Sequence, residues 1–218
     1  MKPVVIELDL DFTMVNVFPG WERMCGRWAM ATGKSVDDVI GLGRGLWTTD
    51  GQLYSPEAHL EFLPAPSNDH LADVASALSQ FYQWLADGNA VYEDVPDFIA
   101  WADACEAING TGIISFGEPE FQSRKINSLP APRAKFEPIT FTSRHGRKAR
   151  RLVSLHGRSR PVIFVDDNGG EHEKAKGFPN IRRVQILRDP DKELSGHAQW
   201  HIRSLMEIPD LIPEMLAS

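Results

Sequence analysis

Three stretches of this chain end in oxygen-bearing side chains whose types and spacing could act together. Val4-Val5-Ile6-Glu7-Leu8-Asp9-Leu10-Asp11-Phe12-Thr13 places two carboxylates one residue apart, with a hydroxyl two further on, after an apolar run. Pro161-Val162-Ile163-Phe164-Val165-Asp166-Asp167-Asn168, about 150 residues later, is a second β-branched and aromatic run that ends in a carboxylate pair. Gly112-Ile113-Ile114-Ser115-Phe116-Gly117 is a shorter apolar run that ends in a hydroxyl and a flexible glycine turn. Acids packed together at a strand end repel one another unless a cation or a phosphoryl group needs them there. Either pair alone reads equally well as a solvated acidic turn. Two such pairs, each closing a buried-strand pattern, are hard to explain by packing. Asp9, Asp11, Asp166 and Asp167 converging on one edge make a hard, oxygen-only site, which suits Mg²⁺. The basic run Ser143-Arg144-His145-Gly146-Arg147-Lys148-Ala149-Arg150-Arg151 adds Lys148, at the start of an expected helix before the Asp166 strand.

The elements around these residues alternate. Strand patterns end at Asp9, Ser115 and Asp166, and further strands are expected at Pro138-Ile139-Thr140-Phe141 and Arg183-Val184-Gln185-Ile186-Leu187. A helix is expected from Val95 through Trp101. Strands alternating with helices argue for a parallel sheet with crossover helices, and ligands of such sheets bind beyond the carboxyl ends of the strands. Between the first two motifs lies a helical block, residues 16–91. Phe18-Pro19-Gly20 reads as a break, followed by a helix over 21–32 with Trp21, Met24, Cys25, Trp28 and Ala29 on one face. Ser35 caps a second short helix with Asp37 and Asp38 in its first turn. Gly41-Leu42-Gly43-Arg44-Gly45 reads as a glycine-rich loop without the dinucleotide fingerprint. Its Arg44, near Trp47, is a solvated arginine or a contact for an anionic substrate. Ser55-Pro56-Glu57 opens another helix, Pro64-Ala65-Pro66-Ser67 breaks the chain, and residues 69–87 carry apolar residues at helical spacing.

In this order the chain resembles the haloacid dehalogenase (HAD) superfamily of hydrolases: Asp9-x-Asp11-x-Thr13, then Ser115, then Lys148, then Asp166-Asp167. The resemblance runs from residue 3 to about 188, interrupted by the helical block. Arg144, Arg147 and Lys135 compete for the place of the third-motif cation; Lys148 is chosen because it lies 18 residues before Asp166, room for one helix and a turn. The resemblance implies an α/β fold, a Rossmann-like three-layer αβα core over 1–15 and 92–218, and a small all-helical cap domain over 16–91 that closes over the site. It implies that the first strand is central, flanked by the second and fourth, with Asp9, Ser115 and Asp166 side by side.

The implied chemistry is phosphoryl transfer through an aspartyl-phosphate. Asp9 is the expected nucleophile, and Asp11 the acid that protonates the leaving oxygen and later the base that activates water. Mg²⁺ is the expected cofactor, held by Asp9, Asp11 through its backbone carbonyl, and Asp166, with Asp167 a ligand or a partner of one. Thr13, Ser115, the backbone following at Phe116, and Lys148 are the expected phosphate-binding groups. Asp11 selects phosphoesters over halides, because the dehalogenating branch carries no Asp two residues past its nucleophile and a halide needs no proton. The phosphonate-cleaving branch uses a cap lysine, and the block offers only Lys34. A phosphomutase would share the same residues. A non-catalytic HAD-fold binding or regulatory protein is the further alternative, kept open by Glu7 inside the first strand and by Phe12 where many relatives carry a small or polar residue. A phosphoacceptor receiver domain fits poorly, since it lacks such an insert.

Composition sets the remaining expectations. The 218 residues carry a net charge of −7, which disfavours nucleic acid and anionic membrane as partners. No apolar run approaches the ~18 residues of a membrane span. The N-terminus shows no signal-peptide layout, and the two isolated cysteines, Cys25 and Cys105, suit a reducing cytoplasm. The block 16–91 holds nine acidic and four basic residues, which favours a small phosphorylated metabolite over a polyanion. A monomer or homodimer is expected. His197-x-x-x-His201 has helical spacing for a metal pair but lacks the metalloprotease glutamate, and Glu171-His172-Glu173-Lys174 reads as a solvated helix start.

Overall fold

The computed structural model describes residues 4–48, 53–66, 70–131 and 135–217. Pro3, Ser67, Asp69 and the side chain of Trp47 lie outside the described residues. The chain divides into two compact units: residues 1–15, 91–116 and 129–218 form one, and residues 16–90 with 117–128 form the other.

The first unit is built on a six-stranded sheet. Its strands are β1 (Val4–Leu8), β2 (Ile108–Phe116), β3 (Phe136–Thr142), β4 (Val162–Asp166), β5 (Ile181–Ile186) and β6 (Trp200–Ile202). They are ordered β3-β2-β1-β4-β5-β6, and every pairing is parallel. β1 and β4 are buried along their whole length, as continuous Val/Ile/Leu/Phe runs require when both faces of a parallel sheet are covered. Crossover helices supply that cover, with Ala149, Leu152 and Ala175 packed against Ile114, Val162, Phe164 and Ile181. In register, Leu8 sits beside Ile113 on one side and Val165 on the other. The three motif-bearing strands therefore end together, and the sheet reverses its order at β1. This is the adjacency that the resemblance implied.

One charge interrupts the core. Glu7 is fully buried in β1, and His156 Nε2 lies 2.5 Å from its Oε1. Space for the carboxylate comes from Gly112, where a Cβ would lie 2.5 Å from Glu7 Oε2. Burial holds the Glu7 pKa above the ordinary value even though His156 pulls it down.

The second unit is helical: α1 (Phe18–Thr32), α2 (Val36–Thr48), α3 (Pro56–Glu61), α4 (Leu71–Ala86) and, from after β2, α6 (Pro119–Asn127). The helices of the first unit are α5 (Val95–Ala104), α7 (Lys148–His156), α8 (Gly169–Ala175) and α9 (Ile208–Ala217). The expected break at Phe18-Pro19-Gly20 is instead the first turn of α1, because proline at the start of a helix lacks only an N–H that had no intrahelical acceptor. The segment expected as a glycine-rich loop, residues 41–45, is the middle of α2. Packing overrides glycine's low helix propensity there: a Cβ on Gly43 would sit 2.6 Å from Trp21 and 2.7 Å from His59. His59 is buried in the same cluster, its ring 5.3 Å from Trp28 and 6.1 Å from Trp21. Its Nε2 lies 2.9 Å from the Val39 carbonyl, and burial lowers its pKa, so the ring is neutral and Nε2 is the donor. Phe121 of α6 completes this core against Tyr54 and Phe81.

Candidate active site

Asp9 follows β1 directly, and its amide donates to the Val165 carbonyl at 2.8 Å, continuing the ladder one residue past the strand. The chain then turns back on itself: Met14 and Val15 amides donate to the Leu10 carbonyl at 2.9 and 3.0 Å, and the Phe12 amide to the Val15 carbonyl at 2.8 Å. This tight turn forces Phe12 to φ +56°, a left-handed conformation that a bulky side chain seldom adopts outside functional loops.

Lys148 is the first residue of α7 and is buried. Its Nζ lies 2.8 Å from Asp9 Oδ1 and 2.8 Å from Asp166 Oδ2. Of the four competing cations, Lys148 is the one placed on the acids; Lys135 pairs with Asp103 at 2.6 Å. Asp166 Oδ1 accepts the Asn168 amide at 2.8 Å. Asp167 is ion-paired with Lys192, and its carbonyl accepts from Gln185 Nε2 at 3.2 Å.

Carboxylate oxygens of Asp9, Asp166 and Asp167 lie within 4.8 Å of one another. Asp11 is not in this group, so the expected convergence of four carboxylates is one of three among the described residues. Two hydroxyls complete the edge. Ser115 Oγ and Thr13 Oγ1 are both buried without a hydrogen-bond partner. Orphaned buried hydroxyls are costly unless something occupies the space they face. Phe116 stacks on His145 at 3.9 Å between ring centroids, which seats the loop before α7 against the end of β2.

The electrostatics follow from burial. Desolvation pushes the Asp9 pKa up to about 7, with Asp166 and Asp11 adding repulsion and Lys148 opposing. Asp166 rises to about 6, chiefly through burial and then Asp167, against the pull of Lys148 and the Asn168 amide. Asp167 rises too, from burial and the Asp9 charge, with Lys192 opposing. Burial alone would lower Lys148, but Asp166 and Asp9 outweigh it and hold the ammonium charged. When all three acids are ionised they outnumber the two ammonium groups by one negative charge. The donor set fits a hard divalent cation: three carboxylates of one cluster, no sulfur and no imidazole among them.

Several neighbours carried no signal in the sequence. Lys192 lies in the long loop after β5, and nothing local ties it to Asp167. His172 and Glu171, expected to be solvated, are buried in α8. Glu171 Oε1 accepts the Gly146 amide at 2.6 Å and so ties the loop before Lys148 to α8. His172 Nε2 donates to the Asp166 carbonyl at 3.0 Å; burial drops its pKa to about 4, so it is neutral. The second histidine of His197-x-x-x-His201 lies on strand β6, so the pair has no helical register and shares no metal cluster among the described residues. Among the described residues no helix is long and apolar enough to cross a membrane, and Cys25 and Cys105 are unpaired.

No protein-family model matches the sequence, and a search of curated proteins found no match. Solved structures do match along the full chain. A protein assigned as a haloacid dehalogenase-like hydrolase from Burkholderia xenovorans LB400 superposes with a TM-score of 0.66 at 19% identity, covering 100% of both chains. One assigned as a β-phosphoglucomutase from Thermotoga maritima gives 0.66 at 12% identity, over 98% of this chain and 99% of that one. The L-2-haloacid dehalogenase of Xanthobacter autotrophicus gives 0.62 at 17% identity, over 99% and 100%. The chain has the HAD-like hydrolase fold; at these identities, the chemistry must be argued from its own side chains.

Proposed function

We propose that this HAD-fold chain is a Mg²⁺-dependent phosphohydrolase that acts on a small phosphorylated metabolite through an aspartyl-phosphate on Asp9. The observation that carries the reading is Lys148 Nζ at 2.8 Å from both Asp9 and Asp166, inside a cluster of three buried carboxylates. Buried charges are held this way when they are needed for chemistry, since an apolar pair of similar size would stabilise the fold as well.

An Asp9 carboxylate oxygen attacks phosphorus, and the bond to the leaving oxygen breaks while Asp11 delivers a proton to that oxygen. Water then attacks the same phosphorus, Asp11 takes its proton, and inorganic phosphate leaves with Asp9 regenerated. Lys148 holds the Asp9 carboxylate in line and offsets charge on the intermediate. Ser115 Oγ and Thr13 Oγ1, which have no partner of their own, donate to phosphoryl oxygens. Asp9, Asp166 and Asp167 would hold Mg²⁺, together with the Asp11 carbonyl. The bound ion would supply the positive charge that keeps Asp9 ionised beside a phosphate dianion.

Asp11 separates this reading from dehalogenation, where the leaving halide needs no proton. The net charge of −7 and the acidic excess over residues 16–91 support a small substrate and no nucleic-acid partner. The expected outcome is Mg²⁺-dependent release of inorganic phosphate from p-nitrophenyl phosphate and from members of a phosphometabolite panel, abolished in Asp9→Asn at unchanged folding. Full activity in that variant refutes the nucleophile. Phosphate transfer to a second hydroxyl without release of inorganic phosphate would identify a mutase instead.

A further inference from the structure

Arg188 stands just beyond β5, on the carboxyl edge of the sheet, with its side chain 10% exposed. Its guanidinium is committed to the protein. Nη2 donates to the Thr13 carbonyl at 2.8 Å and Nε to the same oxygen at 3.3 Å, while Nη1 donates to Asp94 Oδ2 at 2.8 Å. The Tyr92 ring lies 4.2 Å from the guanidinium carbon. Asp94 Oδ2 also accepts from Ser204 Oγ at 2.6 Å and from the Leu205 amide at 2.7 Å. An arginine neutralised and bonded in this way is not set up to receive a phosphate.

What it grips is informative. Thr13 belongs to the turn that carries Asp9, Asp11 and the orphaned Thr13 hydroxyl. That turn contains Phe12 at φ +56°, a conformation that persists only where the surroundings over-determine it. At the far end of the turn the Tyr92 amide donates to the Met14 carbonyl at 3.1 Å, and Arg188 holds the Thr13 carbonyl with two donors. Tyr92 and Asp94 belong to the segment that returns to the sheet unit, so Arg188 joins the outgoing turn, the returning segment and the end of β5.

We infer that Arg188 is a positioning residue: its grip on the Thr13 carbonyl fixes the 9–13 turn, so that Asp9, Asp11 and the Thr13 hydroxyl keep their places around the phosphoryl group. The catalytic part of this inference rests on the phosphohydrolase reading; the loop-holding part does not. Arg188→Lys keeps the charge, but one ammonium cannot span the Thr13 carbonyl and Asp94 with the fork geometry of a guanidinium. Asp94→Asn is a milder, isosteric variant that weakens the same anchor and carries the test if Arg188→Lys does not fold.

The measurements are hydrogen exchange on the full chain, resolved at the amides of Phe12, Met14 and Val15, and steady-state kinetics on p-nitrophenyl phosphate with Mg²⁺. In Arg188→Lys those three amides lose protection about tenfold while β4 amides keep theirs. At the same time kcat falls about 30-fold with KM within about twofold, as expected for a displaced nucleophile loop. Asp94→Asn shows the same pattern at smaller size. Protection lost uniformly along the chain, with kcat per folded molecule unchanged, marks a purely structural residue and overturns the inference, as does wild-type protection at all three amides. If the wild-type protein hydrolyses nothing while Arg188→Lys still frees the turn, the phosphohydrolase reading fails and the loop-holding role stands.

Discussion

Replacing Asp9 by Asn should make the metal-free protein more stable while it abolishes turnover. Asp9 is 5% exposed, next to Asp166 and Asp167, and its pKa is pushed to about 7 from an ordinary 3.8. At about 1.4 kcal/mol per pKa unit, holding this carboxylate ionised in the folded state at pH 7 costs about 4 kcal/mol. Asn stands in for the protonated acid and removes that cost; the pull of Lys148, 2.8 Å away, is already included in the raised pKa. The gain is therefore about 3–4 kcal/mol, or roughly 6–16 °C in the midpoint of a chain this size. The sign follows from proton binding: a raised carboxyl pKa means that the folded state binds the proton more tightly than the unfolded one. Wild-type stability therefore falls as pH rises from about 4 to about 7, and the variant lacks that loss. Scanning calorimetry in EDTA between pH 4 and 8 measures it, with the two proteins converging near pH 4. Added Mg²⁺ then stabilises the wild type by about 2.7 kcal/mol at a hundred times its Kd and the variant by less. An equal or lower midpoint for Asp9→Asn at pH 7 in EDTA, or a gain that persists undiminished at pH 4, would refute this account of the acid cluster.

Four further substitutions test other parts of the structure. Lys148→Met leaves Asp9 and Asp166 buried without their shared cation, and urea unfolding at pH 7 should show a loss of about 3 kcal/mol. Gly43→Ala should destabilise by about 1–3 kcal/mol because its Cβ meets Trp21 and His59. Gly45→Ala, in the same helix with open space around it, should stabilise by about 0.5–1 kcal/mol; identical effects at the two positions would contradict a helix through this segment. The Asp94 pKa is lowered: burial raises it, but bonds from Arg188, Ser204 and the Leu205 amide outweigh that. Its contribution is present above pH 3.8 and lost as pH falls through the lowered value, so Asp94→Asn should lower stability at neutral pH and converge with the wild type in acid.

Much of the site was legible in the sequence because its signals are local. A strand that ends in Asp9-x-Asp11-x-Thr13 and a second that ends in Asp166-Asp167 carry their residue types, their spacing and their burial pattern within ten residues each. The α/β alternation was equally local, since period-2 and period-3.6 patterns are written along the chain. Errors came where packing outweighed propensity. Glycines at 41, 43 and 45 read as a loop, yet the close approach of Trp21 and His59 to Gly43 makes a helix the better solution. Glu171 and His172 read as solvated, yet each finds a buried backbone partner, the Gly146 amide and the Asp166 carbonyl.

The sequence by itself determined which residues have the chemistry: two acid pairs, two hydroxyls and a set of candidate cations. The tertiary structure alone decided which of them meet. It put β1 between β2 and β4, which brings Asp9, Ser115 and Asp166 to one edge, and it set Lys148 rather than Arg144, Arg147 or Lys135 between two carboxylates. It also brought Lys192 to Asp167 and Arg188 to Thr13, across 25 and 175 residues of chain. Residue type and local spacing fix what a side chain can do, but contacts over such separations are set by strand order and crossover path. No local pattern encodes those.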